Sequence, residues 1–150
     1  MPPMPTPATT SPRAARLGAT GLGAIAAGAT VVLVAVGFVW SAPRADVPLP
    51  GPDATPEQVV RTYVEAVNGR DFETANQIDV RPGTELHRWS RPPKTRILEL
   101  GETTLDGGRA YVPFTADVDG GDGTVADGAW GYYLQRGHDG SWHIIDAGVA

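Results

Sequence analysis

Cysteine is absent from all 150 residues. That excludes disulfides, thiolate catalysis, cysteine-ligated zinc and a lipid-modified cysteine anchor. Acidic residues are absent from the first 45 positions, which carry only Arg13, Arg16 and Arg44. All 17 acids, and the other nine of the 12 basic residues, lie beyond them. A polypeptide so divided is built for two environments rather than one. With 17 acids against nine basic residues, the acidic part argues against general nucleic-acid binding, which works by releasing phosphate counterions. Charge of either sign is missing across the 24 positions Leu17 to Trp40. The whole-chain averages, 41% hydrophobic and 19% charged with mean hydropathy −0.16, hide this run.

Residues 1–16 hold five prolines and no apolar periodicity. Their composition predicts a disordered tail, since too little apolar surface exists to offset ordering entropy. The run Leu17–Trp40 predicts a transmembrane helix, because about 20 helical residues span a hydrocarbon core of about 30 Å. Its glycines would weaken a helix in water, but lipid offers the backbone no other partner. Trp40 suits the headgroup region, and Arg13 and Arg16 place the N-terminus in the cytoplasm with the rest of the chain outside. A cleaved signal peptide fits less well, because its apolar region is about 7–15 residues and ends in small residues before the cut. Here Trp40 and Pro43 crowd the one suitable position, at Ala42. The lipid bilayer, through residues 17–40 of a single-pass cell-membrane protein, is therefore the first expected partner. Ala24 with Gly28, and Gly23 with Ala27, offer a small-residue face for close helix approach. Residues 41–54 form a proline-rich linker, which predicts an extended spacer at about 3.1 Å per residue.

A domain is expected over 55–150. Thr55-Pro56-Glu57-Gln58 reads as a capping box with proline at the first helical position. Val59, Val60, Tyr63, Val64 and Val67 follow at helical spacing, and Asn68-Gly69 supplies the stop, with Gly69 taking the left-handed conformation. Asp71 caps a second short helix that carries Phe72, Ala75 and Ile78 inward. Four stretches then read as strands: 94–104, 109–117, 129–136 and 141–147. Turns are expected at Asp106-Gly107-Gly108, around Gly120–Gly128 and at His138-Asp139-Gly140. Helices followed by an antiparallel meander indicate an α+β fold.

The stretch TPEQVVRTYVEAVNGRDF and the closing Trp142-x-Ile144-x-Asp146 resemble the NTF2-like superfamily, including its SnoaL-like branch. The resemblance spans about residues 54–150. It implies a cone of N-terminal helices packed on a curved antiparallel sheet. With the preceding membrane span, the chain is similar to the anchored extracytoplasmic members of high-GC Gram-positive bacteria. Relatives include isomerases and dehydratases that place Asp, His and Tyr inside the cone, where burial would have to shift a catalytic carboxyl. The residues that could line such a pocket are Tyr63, His87, Trp89, Tyr132 and Asp146. No two of them match a catalytic pair, and each has a plainer role: core tyrosines, an exposed loop, a strand end.

Asp117, Asp119 and Asp122 superficially suggest a calcium loop, but the fifth and sixth positions are Gly121 and Asp122, and Gly128 stands where glutamate should. His138 and His143 complete no zinc pattern. Neither metal nor cofactor is expected. One basic cluster stands against the acidic background: Arg81, Arg88, Arg91, Lys94 and Arg96, around Trp89. It could dock an anionic partner, or it could cover the crossover from helix to strand and pair with local acids. Three functions follow. The domain is a non-catalytic binding or scaffold module with a protein partner or a second copy outside the cytoplasm, a small-ligand carrier using the cone, or an isomerase or lyase. A filled cone with an apolar outer sheet favours the first, an apolar pocket the second, and an acid beside an apolar wall the third.

Overall fold

A computed structural model describes residues 45–149. The tail expected over 1–16 and the membrane span expected over 17–40 lie outside those residues. Among the described residues no helix is long and apolar enough to cross a membrane.

Helix α1 runs Pro56–Gly69 and helix α2 runs Phe72–Ile78. The capping box forms as its residues dictate: the Thr55 hydroxyl accepts from the Gln58 amide, and the Gln58 side chain accepts from the Thr55 amide at 2.8 Å. Asp71 caps α2 by accepting from the Thr74 amide. The stop between the helices differs from expectation. Arg70, not Gly69, takes the left-handed conformation, with φ 63°. Gly69 serves a closer purpose, because a Cβ there would stand 2.8 Å from the Cβ of Ala45.

That contact belongs to a strap. Residues 45–52 run along the domain instead of standing off it as a spacer. The Ala45 amide donates to the Gly69 carbonyl, and the Val47 amide donates to the Asp71 carboxylate at 2.9 Å. The Thr74 hydroxyl donates to the Val47 carbonyl, and the Val47 side chain is buried with Ala66 and Ala75. Residues 45–50 form neither helix nor strand, and the Ala45 and Val47 bonds with the buried Val47 side chain hold them on the helices.

Five strands follow: β1 Lys94–Leu100, β2 Thr104–Asp106, β3 Arg109–Gly120, β4 Gly123–Arg136 and β5 Trp142–Val149. They form one curved antiparallel sheet in the order β1-β3-β4-β5, with β2 sharing the β1 side of β3. The expected strand 94–104 is split, and Pro113 explains the split. The Gly101 amide donates to the Pro113 carbonyl, so that side of Pro113 faces β1, where its missing N–H interrupts the ladder. The loop expected over 120–128 is mostly strand. β3 and β4 stay paired to Gly120↔Gly123, with one irregularity where Asp127 adopts φ 51° and donates its amide to Asp117.

Both helices pack on one face of the sheet. Val59, Val60 and Ile78 meet Val112, Phe114, Ala116, Leu134, Trp142 and Ile144 in a single core. The alternation along β3 puts Ala110, Val112, Phe114 and Ala116 inward. Tyr111 and Tyr133, paired across β3 and β4, therefore fall on the opposite face.

Candidate functional site

Where α2 ends, the chain lays Asp79 against β5 in a bridge to Ile144, and the Val80 amide donates to the Ile144 carbonyl. Asp79 is thereby fixed in the interior beneath α1. Arg81, two residues on, turns back and grips it: Nε donates to Oδ1 at 2.8 Å and a terminal nitrogen to Oδ2 at 2.6 Å. The Arg81 backbone amide adds a bond to Oδ1, and the Tyr63 hydroxyl donates to Oδ2 at 2.9 Å. The carboxylate side chain is 4% exposed and its arginine 20%.

The tyrosines complete the cluster. Tyr63 meets Tyr132 edge to face with centroids 5.5 Å apart, and the Arg81 guanidinium lies 5.6 Å from the Tyr132 ring centroid. Tyr132 also stacks on Phe114. Beyond it a small cavity of about 190 Å³ opens, lined by Phe114, Val118, Trp130, Tyr132 and Ala147 among others. No acid lines it.

These contacts set the protonation states. Burial pushes the Asp79 carboxyl up, but donation and charge from Arg81, with the Tyr63 hydroxyl, outweigh it and hold the group below the usual carboxylate range. Burial raises Tyr63 well above an ordinary phenol, assisted by Tyr132 and by the Asp79 charge. Burial raises Tyr132 too, against the pull of Arg81. At neutral pH the site is thus a carboxylate with its acceptor positions occupied, a guanidinium and two neutral phenols. It is suited to holding shape and donating hydrogen bonds, not to taking a proton from carbon.

Of the expected pocket residues, the structure brings only Tyr63 and Tyr132 together. His87 and Trp89 sit in an exposed turn, and Asp146 is exposed on β5, where it accepts from the Ala147 amide. The side chains of the expected basic patch have different partners. Arg81 is committed to Asp79, Arg96 pairs with Asp117, and Arg88 lies over the Trp89 ring. Arg91 and Lys94 line a separate surface hollow with Arg70. Sequence reasoning missed Asp79. The usable signal was an Asp-x-Arg pair immediately after Ile78, the last inward residue of a short amphipathic helix.

The opposite face of the sheet carries a second feature. Tyr111 and Tyr133 lie with centroids 4.6 Å apart, and Tyr133 is 46% exposed. Gly131 makes room for them: a Cβ there would fall 2.4 Å from the Tyr111 hydroxyl oxygen. Among the described residues no group of acids or histidines could hold a metal ion. No protein-family model matches the chain, and a search of curated proteins finds no match.

Proposed function

We propose that this chain is a single-pass membrane protein whose NTF2-like domain works outside the cytoplasm as a non-catalytic binding module, with the tyrosine-bearing sheet face as its contact surface. The observation that carries this reading is the saturation of Asp79. An acid–base enzyme of this shape needs a desolvated carboxyl aimed at substrate, and here the interior carboxyl accepts from Arg81 and Tyr63 instead. The outer face supports the reading from the other side. Tyrosine supplies large contact area at small entropic cost, and an exposed Tyr133 backed by a partly buried Tyr111 over glycine is an economical recognition surface.

A second reading, carriage of a small apolar ligand, is favoured by the cavity beside Tyr132 and by the buried Trp130 indole N–H, which has no acceptor. At about 190 Å³ the cavity is smaller than the roughly 300–1,000 Å³ of most ligand pockets, which places this reading second.

The two faces are separable by complementation in the native host with full-length variants. Changing Tyr111 and Tyr133 to Ser should remove the cellular role while the protein stays folded and in the membrane. Asp79→Asn, expressed at a temperature where it remains folded, should keep that role. Loss of the role with folded, membrane-bound Asp79→Asn and retention with the tyrosine variant would make the interior cluster catalytic.

A further inference from the structure

The strap ties the start of the described residues to the C-terminal end of α1. Only Ser41 to Arg44 separate Trp40 from Ala45. Fully extended, that connection reaches at most roughly 18 Å. Ala45 is hydrogen-bonded to Gly69, at the C-terminal end of α1. On the reading that residues 17–40 span the membrane, this end of the domain must lie within one short connection of the headgroups.

The same end presents an exposed tryptophan on a rigid support. Arg70, adjacent to Gly69, donates to the carbonyls of Arg88 and Ser90, at 2.9 and 3.4 Å. The Ser90 amide donates to the His87 carbonyl and the His87 amide to the Ser90 hydroxyl, closing a compact turn. Asn76 brackets Leu86 just before it with two further bonds. Trp89 sits in this turn, 61% exposed, with the Arg88 guanidinium 4.7 Å from its ring centroid. Packing within the domain does not account for so exposed an indole held in place by three polar side chains. Beside it Arg70, Arg91 and Lys94 border a hollow of about 290 Å³ with Pro92 and Pro93. Lys94 has Asp119 as its register partner on β3.

We propose that the turn Leu86–Ser90, with Trp89 at the centre and Arg91 and Lys94 beside it, rests in the headgroup layer of the protein's own membrane. The occupant is the phospholipid surface. The indole takes the interfacial position that tryptophan prefers, and the basic side chains meet lipid phosphate. The sheet face carrying Tyr111 and Tyr133 is then held in a set orientation to the bilayer, leaving it open to a partner. This inference rests on the membrane-anchor reading, and the test separates the two.

The absence of cysteine allows single-site labels in the full chain. His87→Cys and His138→Cys, both exposed, the first in the turn held by Arg70 beside the C-terminus of α1 and the second in the β4–β5 turn that reaches Pro52 before its N-terminus, are labelled with an environment-sensitive fluorophore. The labelled chains are reconstituted in phosphatidylcholine–phosphatidylglycerol vesicles containing headgroup-level nitroxide lipid. The expected result is carbonate-resistant association, quenching at position 87 and none at 138, with the quenching at 87 lost on adding Trp89→Ala. Carbonate-resistant association with equal quenching at the two positions overturns the orientation and leaves the anchor standing. Release of the chain by carbonate overturns the anchor, and the orientation with it. Undiminished quenching at 87 in the Trp89→Ala chain overturns the role given to that side chain.

Discussion

A carboxylate that accepts from a guanidinium, a phenol and a backbone amide has no acceptor position left for a substrate proton. Asp79 is such a group, and its place in the account is structural. Replacing it with Asn leaves a partly buried Arg81 beside a neutral partner, so Asp79→Asn should cost up to about 3–5 kcal/mol in urea unfolding. Tyr63→Phe removes one bond to the charged group and should cost roughly 1.5–3 kcal/mol. The pH dependence has a definite sign. The folded-state carboxyl titrates below its ordinary value, so the stability it contributes is complete above the unfolded pKa, about 3.9, and falls as the medium is acidified below that. Denaturation midpoints of the native protein should therefore drop more steeply on acidification than those of Asp79→Asn. Equal slopes would show that the ion pair is not formed. Almost none of this was legible in the sequence. Tyr63 and Tyr132 could be named from their spacing on helix and strand. Asp79 and Arg81, though only two apart, join them through a chain reversal that no local pattern encodes.

Elements were more legible than sites. The Thr55 capping box, the Asp71 cap and the alternation in Arg109–Asp117 are local signals, and each appears as written. The failures came where tertiary contact decides. Pro113 on β3 splits a strand in a different part of the sequence, and a lone valine turns a linker into a strap. The strap's contribution can be isolated at Gly69. In a fragment of residues 45–150, Gly69→Ala should destabilise by about 1–3 kcal/mol, because its Cβ overlaps that of Ala45. In a fragment of residues 53–150 the clash is gone, and the same change should be neutral or gain up to about 1 kcal/mol of helix propensity. Identical effects in both fragments would mean the strap is not docked on α1. On β5, Trp142 is 9% exposed within the core, and Trp142→Ala should cost about 3–5 kcal/mol. A cost near zero would remove that strand from the core.

At the scale of the whole molecule, charge is the organising fact. Arg13 and Arg16 precede the run without charge, while Arg44 and every acid follow it. The pattern is the ground for the proposed membrane span, because bilayer insertion depends on composition and length rather than on tertiary contact. It is the basis for placing the domain outside the cytoplasm, and external protease on intact cells should digest residues beyond 45 while sparing cytoplasmic controls. In the proposed function the domain acts there by contact through its outer sheet face. The most direct measurement is site-specific photocrosslinking of the full chain in its own membrane, with the photoreactive residue at Tyr133 and, for comparison, at Glu73 on the exposed side of α2. A discrete light-dependent adduct is expected from position 133, absent from 73, that persists with Asp79→Asn and disappears with Tyr111→Ser. No adduct from 133, or the same adducts from both positions, would contradict it.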